Sequence, residues 1–352
     1  MTKISIAMAT FNGERFIRPQ LDSFVRQTLL PTELIICDDG STDSTLCIIS
    51  DFSKSAPFPV VIVKNSTRLG YTANFLQAAR MCQGDLIAFS DQDDVWGTHK
   101  LECMLQASHA SNALLFAHGA EWVNEDGNPV GVVFPTHRRF RKNLPQNRFP
   151  GHVIVFRRSL LDMTSHSLTP NKLREIAGDV EIGHDVLLPE IAAAIGRLQF
   201  IPSVLMQYRV YWRGPQVEVK LTDSASSPMA RFASRVWPPD LVQRYTAAGL
   251  LYRKHSILLS CIISDVAAFN GSGVSSLAGL AMLKGLMEGR ADVMGLRAKF
   301  YASPSRPARI RLMLKGAKIG QYRGAEHGGV GIQNFVRDAL ACLVPKPLVS
   351  TQ

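Results

Sequence analysis

Several patterns that would assign this chain to a familiar class are missing from it. Its six cysteines are scattered without a CxxC pair, which favours reduced thiols in a cytosolic protein over a disulfide framework or a zinc site. Neither GxGxxG nor GxxxxGKS/T accompanies the predicted strands, so a dinucleotide-binding fold and a P-loop are disfavoured. No fixed-period repeat is evident. The composition, 46% hydrophobic and 19% charged over 352 residues, is typical of a globular protein with one large domain plus an appendage, or two domains.

Hydrophobic targeting segments are also absent. The N-terminus runs directly into a predicted strand at residues 4–8 without the apolar core of a signal peptide, so we expect no secretory signal. The longest apolar stretch, residues 256–287, is interrupted by Asp265, Asn270 and several glycines, whereas a membrane span needs about 20 nearly uninterrupted apolar residues. We therefore expect a cytoplasmic protein without a transmembrane helix.

The first part of the chain has no net charge, and the positive charge is concentrated in the last part. Residues 1–220 hold 22 basic and 22 acidic residues, so the formal net charge of +10 comes from the other 17 basic and 7 acidic ones. The stretch 297–323 mixes basic with apolar side chains and contains no acid. It is open to two interpretations, attachment to an anionic membrane surface or a solvated basic helical tail. It lacks a recognisable nucleic-acid-binding module, so we expect no nucleic-acid partner.

The first half of the sequence alternates short β-branched runs with amphipathic segments, which predicts an α/β fold with a mostly parallel sheet flanked by helices. Strands are predicted at residues 4–8, 34–37, 60–63 and 86–89, and helices at about 15–27, 43–52 and 71–82. Beyond them the pattern predicts a hairpin turn at Asp126-Gly127, strands at 152–156 and 198–208, and a helix at about 184–195.

Unusual polar residues follow three of the predicted strands. Thr10-Phe11-Asn12 follows the first strand, Asp38-Asp39-Gly40 the second and Asp91-Gln92-Asp93-Asp94 the fourth. In open α/β sheets, ligands bind at the carboxyl ends of the strands. We therefore expect these three clusters to converge on one binding site.

The cluster at Asp91, Asp93 and Asp94 points to a metal. Because like charges repel, three carboxylates at a buried strand end reduce stability unless a cation neutralises them. Carboxylate oxygens suit Mg²⁺ or Mn²⁺, and Mg²⁺ commonly binds one or two carboxylates together with substrate phosphates. The alternative is a solvated acidic turn. Likewise Asp39 is open to a binding role or a turn, whereas Asp43 is expected only to cap the following helix.

Four segments in succession carry a family resemblance: ISIAMATFNGERF, ELIICDDGSTD, NSTRLGYTANFLQAA and GDLIAFSDQDDVW. They resemble the ordered motifs of family 2 glycosyltransferases of the GT-A fold, and the SDQDDxW ending resembles the bacterial rhamnosyltransferase-like branch. The similarity covers roughly residues 3–215. It implies a Rossmann-like GT-A domain over 1–215, with a nucleotide-binding half at about 1–120 and an acceptor half at about 121–215. A mainly helical, basic C-terminal region then occupies 216–352.

The resemblance implies a nucleoside end of the site. Thr10, Phe11 and Asn12 would line the nucleotide pocket, with Phe11 against the base. Asp39 would bind the base or the ribose. Arg68, in the loop before the third helix, would reach the nucleotide unless it is only a solvated loop arginine.

The resemblance also implies a diphosphate end. Asp91 would contact the ribose side, and Asp93 would bind the Mg²⁺ or Mn²⁺ that bridges the diphosphate. Asp94 is expected to serve in either role and is assigned here as a metal ligand. Relatives often continue with YRxH, whose histidine approaches the metal or the diphosphate. Tyr211 stands at that position, and because tyrosine is a poor Mg²⁺ ligand, the third protein ligand is left unassigned.

Asp185 is the residue that the resemblance implies as catalytic base. In inverting glycosyl transfer a carboxylate takes the proton of the attacking acceptor hydroxyl, and the transition state has oxocarbenium character. Family members carry an HD or ED pair at the start of a helix, where this chain has His184-Asp185. Without the resemblance, Asp185 is simply a first-turn acid, which the helix dipole favours. His184 either orients it or lies at the surface.

Three further residues follow Gly151, where relatives often have small residues or cysteine. His152, Arg157 and Arg158 are open to contact with the acceptor. The alternative is a strand-edge histidine and two solvated arginines.

Together these features predict an inverting, metal-dependent sugar transfer from a nucleotide sugar to a saccharide or polyprenyl-linked glycan acceptor. The branch resemblance implies dTDP-L-rhamnose as the donor, with UDP-hexoses or UDP-N-acetylhexosamines as the alternative, in bacterial surface-polysaccharide assembly at the inner face of the cell membrane. Two other classes stay open. A nucleotidyltransferase would normally carry a Gly-rich basic loop where this chain has Thr10-Phe11-Asn12-Gly13. A catalytically inactive donor-binding scaffold fits the absent histidine.

Overall fold

A computed structural model describes residues 2–134, 149–177, 182–211, 240–270, 274–318, 320–321 and 332–343. The contacts within the chain divide it into two units. The first contains Met1–Trp212 and Cys261–Leu280, and the second contains Arg213–Ser260 and Ala281–Gln352. The domain boundary predicted near residue 215 lies outside the described residues.

The first unit is built on a mixed sheet of nine strands among its described residues. The strands are β1 (Ile4–Thr10), β2 (Glu33–Asp38), β3 (Val60–Lys64), β4 (Leu86–Ser90), β5 (Val95–Trp96), β6 (Leu115–Val123), β7 (Pro129–Phe134), β8 (Ile154–Arg157) and β9 (Leu198–Arg209). Their order is β3-β2-β1-β4-β8-β6-β9-β5, and β7 pairs with β6. The first four strands are parallel to one another, and β8 runs antiparallel to both β4 and β6. A sheet of parallel strands that ends in antiparallel ones is the GT-A type of arrangement that the sequence predicts.

Helices connect these strands and continue into the C-terminal part of the chain. They are α1 (Ile17–Val25), α2 (Thr45–Ser53), α3 (Tyr71–Met81), α4 (Lys100–Ala110), α5 (Arg158–Asp162), α6 (Pro170–Ala177), α7 (His184–Ala194), α8 (Leu241–Asn270), α9 (Val274–Ala302), α10 (Arg306–Lys318) and α11 (Ile332–Leu343). In the described part of the chain, no helix combines the length and the apolar character that crossing a membrane requires.

Strand β4 explains how the sequence positions the acidic cluster. Its residues, Leu86–Ser90, are all buried, as expected of a parallel strand covered on both faces. The neighbouring strand β1 is buried in the same way as far as Met8. Because both strands end at the same edge of the sheet, the polar residues that follow them emerge side by side.

The second unit has an apolar cluster and a buried ion pair of its own. Phe300 and Tyr301 of α9 pack with Leu241 of α8 and with α11. The guanidinium of Arg297 lies 2.7 Å from the carboxylate of Asp338, and both side chains are fully buried. The hydroxyl of Tyr301 also donates a hydrogen bond to this carboxylate. Arg297, Phe300 and Tyr301 are therefore interior residues, so the expectation of one exposed basic surface over 297–323 is wrong for them.

Candidate active site

The predicted polar clusters meet in one cleft at the carboxyl ends of β1, β2 and β4. Twelve residues line this cleft, which has a volume of about 360 Å³: Ala9, Thr10, Phe11, Asp39, Arg68, Gly70, Tyr71, Asn74, Phe75, Asp91, Gln92 and Asp93. The cleft brings together six of the nine predicted site residues: Thr10, Phe11, Asp39, Arg68, Asp91 and Asp93. Asn12, Asp94 and Asp185 lie outside this set.

Six of the predicted site residues thus line the cleft directly, and the other three lie just behind or beside it. Asn12 shows why. Its backbone adopts a positive φ of 48°, a conformation that asparagine tolerates better than most residues. Its N–H donates to the hydroxyl of Ser41, and its side-chain oxygen accepts the N–H of Thr42. Asn12 therefore joins the loop after β1 to the loop after β2.

The two acids after β2 have different environments. Asp38 is buried and accepts hydrogen bonds from Thr10 and from the backbone and hydroxyl of Ser41, so it acts as a support. Asp39 lines the cleft. One of its oxygens accepts the N–H of Leu69 at 2.7 Å, and the other accepts the N–H of Gly70 at 2.9 Å. The carboxylate of Asp39 thereby fixes the loop before α3 at the mouth of the cleft. Asp43, which was expected to cap α2, precedes the N-cap residue Ser44 and accepts the N–H of Thr45.

Arg68 and Phe11 form the outer wall of this end. The guanidinium of Arg68 lies 3.9 Å from the centre of the Phe11 ring, within the range of a cation–π interaction. Its Nε is also 3.9 Å from the carboxylate of Asp39. An aromatic face, a guanidinium and a carboxylate at one position suit a flat, polar ring such as a nucleobase.

The acidic cluster after β4 divides between the cleft and the interior. The carboxylates of Asp91 and Asp93 line the cleft, whereas Asp94 is buried and accepts the backbone N–H of Arg209. Behind Asp91 lies His152, whose Nδ1 is 3.0 Å from the carboxylate of Asp91 and 3.6 Å from that of Asp94. The strand pairing Ala88↔Val155 brings the start of β8 under the end of β4 and so positions this histidine.

His152 was expected to contact the acceptor or to sit at a strand edge, and both expectations are wrong. It lies in a short 3₁₀ turn, Gly151–Val153, with 2% of its surface exposed. Burial lowers the pKa of His152, but the charge of Asp94 and the hydrogen bond with Asp91 outweigh burial and raise it. Burial likewise raises the pKa of Asp91, but the hydrogen bond and charge of His152 bring it below its usual value. Asp91 and His152 therefore form an ion pair.

The remaining two carboxylates are held less easily as anions. Burial raises the pKa of Asp94 to about 7, with the charge of His152 acting against it and those of Asp91 and Asp93 adding to it. Burial and the charge of Asp91 also raise the pKa of Asp93, against a hydrogen bond that lowers it. That bond comes from the hydroxyl of Tyr211, 2.5 Å away. A cation at this position would relieve the repulsion among the carboxylates.

The donor set fits a divalent cation. Asp91, Asp94 and His152 each offer a ligand atom, and these atoms lie within 4.8 Å of one another. One oxygen of Asp94 is buried and has no hydrogen-bond partner among the described residues. Asp93 adds a carboxylate on the cleft side. Carboxylate oxygens with one imidazole suit Mg²⁺ or, better, Mn²⁺, which accepts nitrogen ligands more readily.

A buried lysine, which the sequence did not mark, lies under this cluster. The ammonium of Lys100 donates to the backbone oxygen of His152 at 2.7 Å and lies 3.6 Å from the centre of the Trp96 ring. The side chain is fully buried, and burial holds its pKa well below the usual value despite the nearby charges of Asp94 and Asp91. Lys100 thus fixes the backbone turn that carries His152.

Gln92, the spacer of the acidic cluster, binds the loop after β1. Its side-chain oxygen accepts the N–H of Phe11 at 2.9 Å, and its side-chain nitrogen donates to the carbonyl oxygen of Phe11 at 3.0 Å. A Cβ on Gly13 would lie 2.4 Å from the same side chain, so only glycine leaves room for it there. The amide of Gln92 therefore connects the Phe11 loop to the acids after β4.

Asp185 begins the first turn of α7, beside the cleft. A Cβ on Gly183 would lie 2.1 Å from a carboxylate oxygen of Asp185 and 3.0 Å from the hydroxyl of Tyr71, a lining residue. The carboxylate therefore folds back over Gly183 toward the Tyr71 side of the cleft. Asp185 is partly exposed.

His184 and the two arginines after β8 are structural. His184 is buried, with its ring 4.3 Å from that of Phe75 and 4.9 Å from that of Phe89, and burial lowers its pKa to about 4. The expectation of a surface position is wrong for it. Arg157 donates to the backbone oxygens of Ser108, Ser111 and Ala113, and Arg158 donates to those of Cys82 and Gly84. Both arginines are partly buried, and each closes a loop.

Comparison with known proteins finds a family whose members resemble the first part of this chain. The family model described as Glycosyl transferase family 2 matches residues 5–163. A relative in Escherichia coli, UDP-Glc:alpha-D-GlcNAc-diphosphoundecaprenol beta-1,3-glucosyltransferase WfgD, is 28% identical over 159 residues, which are 45% of this chain and 62% of that protein. The dTDP-rhamnosyl transferase RfbG of Shigella flexneri is 36% identical over 110 residues, 30% of this chain and 38% of that protein.

The fold has a counterpart among solved structures. The crystal structure of S. aureus TarS superposes with a TM-score of 0.51 at 16% identity, covering 79% of this chain and 55% of that one. At this identity the likeness concerns the fold alone. The chain spans 62% and 38% of the length of these two curated relatives. The family match agrees with the motifs quoted above, and residues 5–163 therefore match the domain of glycosyl transferase family 2.

Proposed function

We propose that this protein is an inverting, divalent-metal-dependent glycosyltransferase that uses a nucleotide-sugar donor. The observation that carries the proposal is the cleft itself. At one end it has Phe11, Arg68 and Asp39, which suit a nucleobase and a ribose, and at the other it has the carboxylates of Asp91 and Asp93. This is the order of groups along a nucleotide diphosphate that is held through a cation.

Each end has its own task in the proposed reaction. Phe11 offers a ring face for the base, and Asp39 and Arg68 offer polar groups beside it. Asp91 and Asp93 would offer carboxylates to Mg²⁺ or Mn²⁺ from the cleft side, and Asp94 and His152 would offer a carboxylate and an imidazole from behind. A bound cation would stabilise the negative charge of the departing diphosphate.

Asp185 is the proposed base of the reaction. Its carboxylate would take the proton of the acceptor hydroxyl while that oxygen attacks the anomeric carbon from the side opposite the leaving diphosphate. The partly exposed position of Asp185 beside the cleft-lining Tyr71 supports this role. Attack from the opposite side inverts the configuration at the anomeric carbon.

We further propose dTDP-L-rhamnose as the donor, on the SDQDDxW ending and the similarity to a dTDP-rhamnosyl transferase. A UDP-hexose is the second candidate, because another relative is named a UDP-Glc transferase. The acceptor is a saccharide or a lipid-linked glycan, which agrees with the diphosphoundecaprenol acceptor in that relative's name. The reaction would then serve surface-polysaccharide assembly at the inner face of the cell membrane.

A donor panel tests these proposals. The melting temperature of the purified chain is measured with dTDP-rhamnose, UDP-glucose, UDP-galactose and GDP-mannose, each with Mg²⁺ or Mn²⁺. We expect stabilisation by dTDP-rhamnose that a chelator removes, and stabilisation only by other donors would overturn the rhamnose proposal. Turnover should release a nucleoside diphosphate. Release of pyrophosphate would indicate a nucleotidyltransferase, and binding without turnover on any tested acceptor would favour a scaffold.

Gln92→Ala should weaken donor binding by about tenfold, although the side chain carries no charge. The substitution removes both hydrogen bonds to Phe11, each worth about 0.5–1.5 kcal/mol, and releases the loop that meets the base. Isothermal titration with the preferred nucleotide sugar and excess Mg²⁺ measures the effect. Gln83→Ala is the matched control, because Gln83 is exposed and bonds only locally to Met81 through its side chain. Equal affinities for the Gln92 variant and the unmodified chain would contradict this role.

A further inference from the structure

Helix α10 has an apolar stripe on the face that it turns to solvent. Ile310 is 43% exposed and Leu314 is 55% exposed. They are four residues apart and therefore lie one above the other on the helix. The exposed residues Pro307 and Ala317 extend the same stripe by one turn in each direction. The stripe thus runs along most of the 13 residues of α10, or about 20 Å.

The stripe does not pack against the second unit, because other residues of α10 form its inner face. Leu312 and Met313 pack against the apolar cluster that contains Phe300 and Tyr301. Arg309 and Gly316 are buried on that inner side as well. Among the described residues, the apolar cluster of the second unit does not include Ile310 or Leu314.

Basic side chains border the stripe. At 100° per residue, Arg311, Lys315 and Lys318 project along one edge of it, next to Leu314. All three are exposed, and no carboxylate among the described residues pairs with them. The sequence has no acid from residue 293 to residue 325, so the surroundings in the chain add no negative charge.

We propose that this face of α10, formed by Ile310, Leu314, Arg311, Lys315 and Lys318, binds an anionic lipid surface. The proposal rests on the proposed function and deepens it, because it names the surface that would hold the enzyme beside a lipid-linked acceptor. The helix lies in the plane of the interface, with Ile310 and Leu314 at the boundary between headgroups and acyl chains. The long basic side chains reach the phosphates from the edge of the stripe.

The combination of features favours a lipid surface over other occupants. A nucleic acid would use the basic edge but would have no use for the exposed aliphatic side chains. A partner protein's apolar groove would use the stripe but not a border of like charge without any acid. An anionic bilayer offers both an apolar layer and a dense negative surface.

Vesicle binding by the full chain tests the proposal. Sedimentation is measured with vesicles of phosphatidylcholine and phosphatidylglycerol and with vesicles of phosphatidylcholine alone. We expect binding to the anionic vesicles only, weakened by salt. The double variant Ile310→Ser/Leu314→Ser should bind at least about tenfold more weakly, because two aliphatic side chains no longer enter the boundary layer. Lys315→Gln/Lys318→Gln should lose about fivefold per charge, which is about 1 kcal/mol each.

Met282→Ser is the matched control, since Met282 is 70% exposed on α9 and lies outside the stripe. It should bind vesicles as the unmodified chain does. Unchanged binding of the Ile310/Leu314 double variant, or equal binding to neutral and anionic vesicles, would overturn the proposal. So would a dimer in solution that the double variant dissolves while neither form binds vesicles, because the stripe would then be a contact between copies.

Failure of this proposal is distinguishable from failure of the proposed function. Stabilisation by the nucleotide sugar with Mg²⁺ depends on the cleft and should be the same in the α10 variants and the unmodified chain. A chain that binds the donor but no vesicles would refute the lipid face alone. A chain that binds vesicles but no nucleotide sugar would refute the proposed function alone.

Discussion

Asp185→Asn is expected to lower turnover by about 10²–10⁴-fold while donor binding stays within twofold to threefold of the unmodified chain, about the scatter of such measurements. Asparagine has nearly the same shape but cannot accept the proton of the acceptor hydroxyl. The substitution therefore removes a contribution made in the transition state and leaves the nucleotide contacts of the cleft intact. Turnover is measured as release of nucleoside diphosphate, and donor affinity is measured by isothermal titration.

Gly183→Ala provides a second route to the same group. The new Cβ would lie 2.1 Å from the carboxylate oxygen of Asp185, so the carboxylate must move away from its place beside Tyr71. We expect lower turnover with unchanged donor affinity, as for Asp185→Asn. Glu175→Gln is the control for replacing an acid, because Glu175 is exposed on α6 and pairs with Lys172. Retention of full turnover in Asp185→Asn would refute the assignment of the base, and it would leave the donor site unaffected.

Asp93→Asn is expected to weaken metal-dependent donor binding by about 10–100-fold, the range known for groups that support a bound metal. Asp93 presents its carboxylate to the cleft and accepts a hydrogen bond from Tyr211. The amide keeps the size of the side chain but loses the charge that would attract the cation. Donor affinity is titrated with and without Mn²⁺, and the concentration of Mn²⁺ that gives half-maximal turnover is measured alongside it.

The difference between the donor affinities measured with and without Mn²⁺ shows whether Asp93 acts through the metal. If Asp93 holds the cation, the substitution reduces only the part of the donor affinity that Mn²⁺ adds. Asp51→Asn is the control, because Asp51 is exposed on α2 and pairs only with Lys54. Equal loss of donor affinity with and without Mn²⁺ would show that Asp93 binds the nucleotide directly and does not act through the metal.

The parts of the site that lie next to one another along the chain could be predicted from the sequence. Thr10, Asp39 and Asp91 each follow a short apolar strand, and parallel strands bring their carboxyl ends to one edge. This local rule was sufficient to predict the cleft. The four parallel strands and the helices between them could be predicted as well, because each segment contains its own hydrophobic periodicity and turn residues.

The supports of the site could not be predicted, because they depend on pairing between distant segments. His152 lies under Asp91 because β8 pairs with β4 in an antiparallel register. No local sequence pattern predicts that pairing. In the sequence Lys100 looks like a surface residue, and only the structure shows that it is buried against the turn of His152. Gln92 reads as a spacer between acids, although Gly13 on the opposite loop was a sign that a side chain approaches there. Such contacts need the tertiary structure.

The amide of Gln92 has a thermodynamic consequence for how strongly two ligands bind together. Since it fastens the Phe11 loop to the strand end that carries Asp91 and Asp93, whatever orders one of these segments also orders the other. Two ligands that share the cost of ordering one element bind cooperatively, and the coupling factor is the same in both directions. A nucleoside monophosphate, too short to reach the acids, should therefore raise the affinity for Mn²⁺. The cation should raise the affinity for the monophosphate by the same factor, and Gln92→Ala should bring that factor to one.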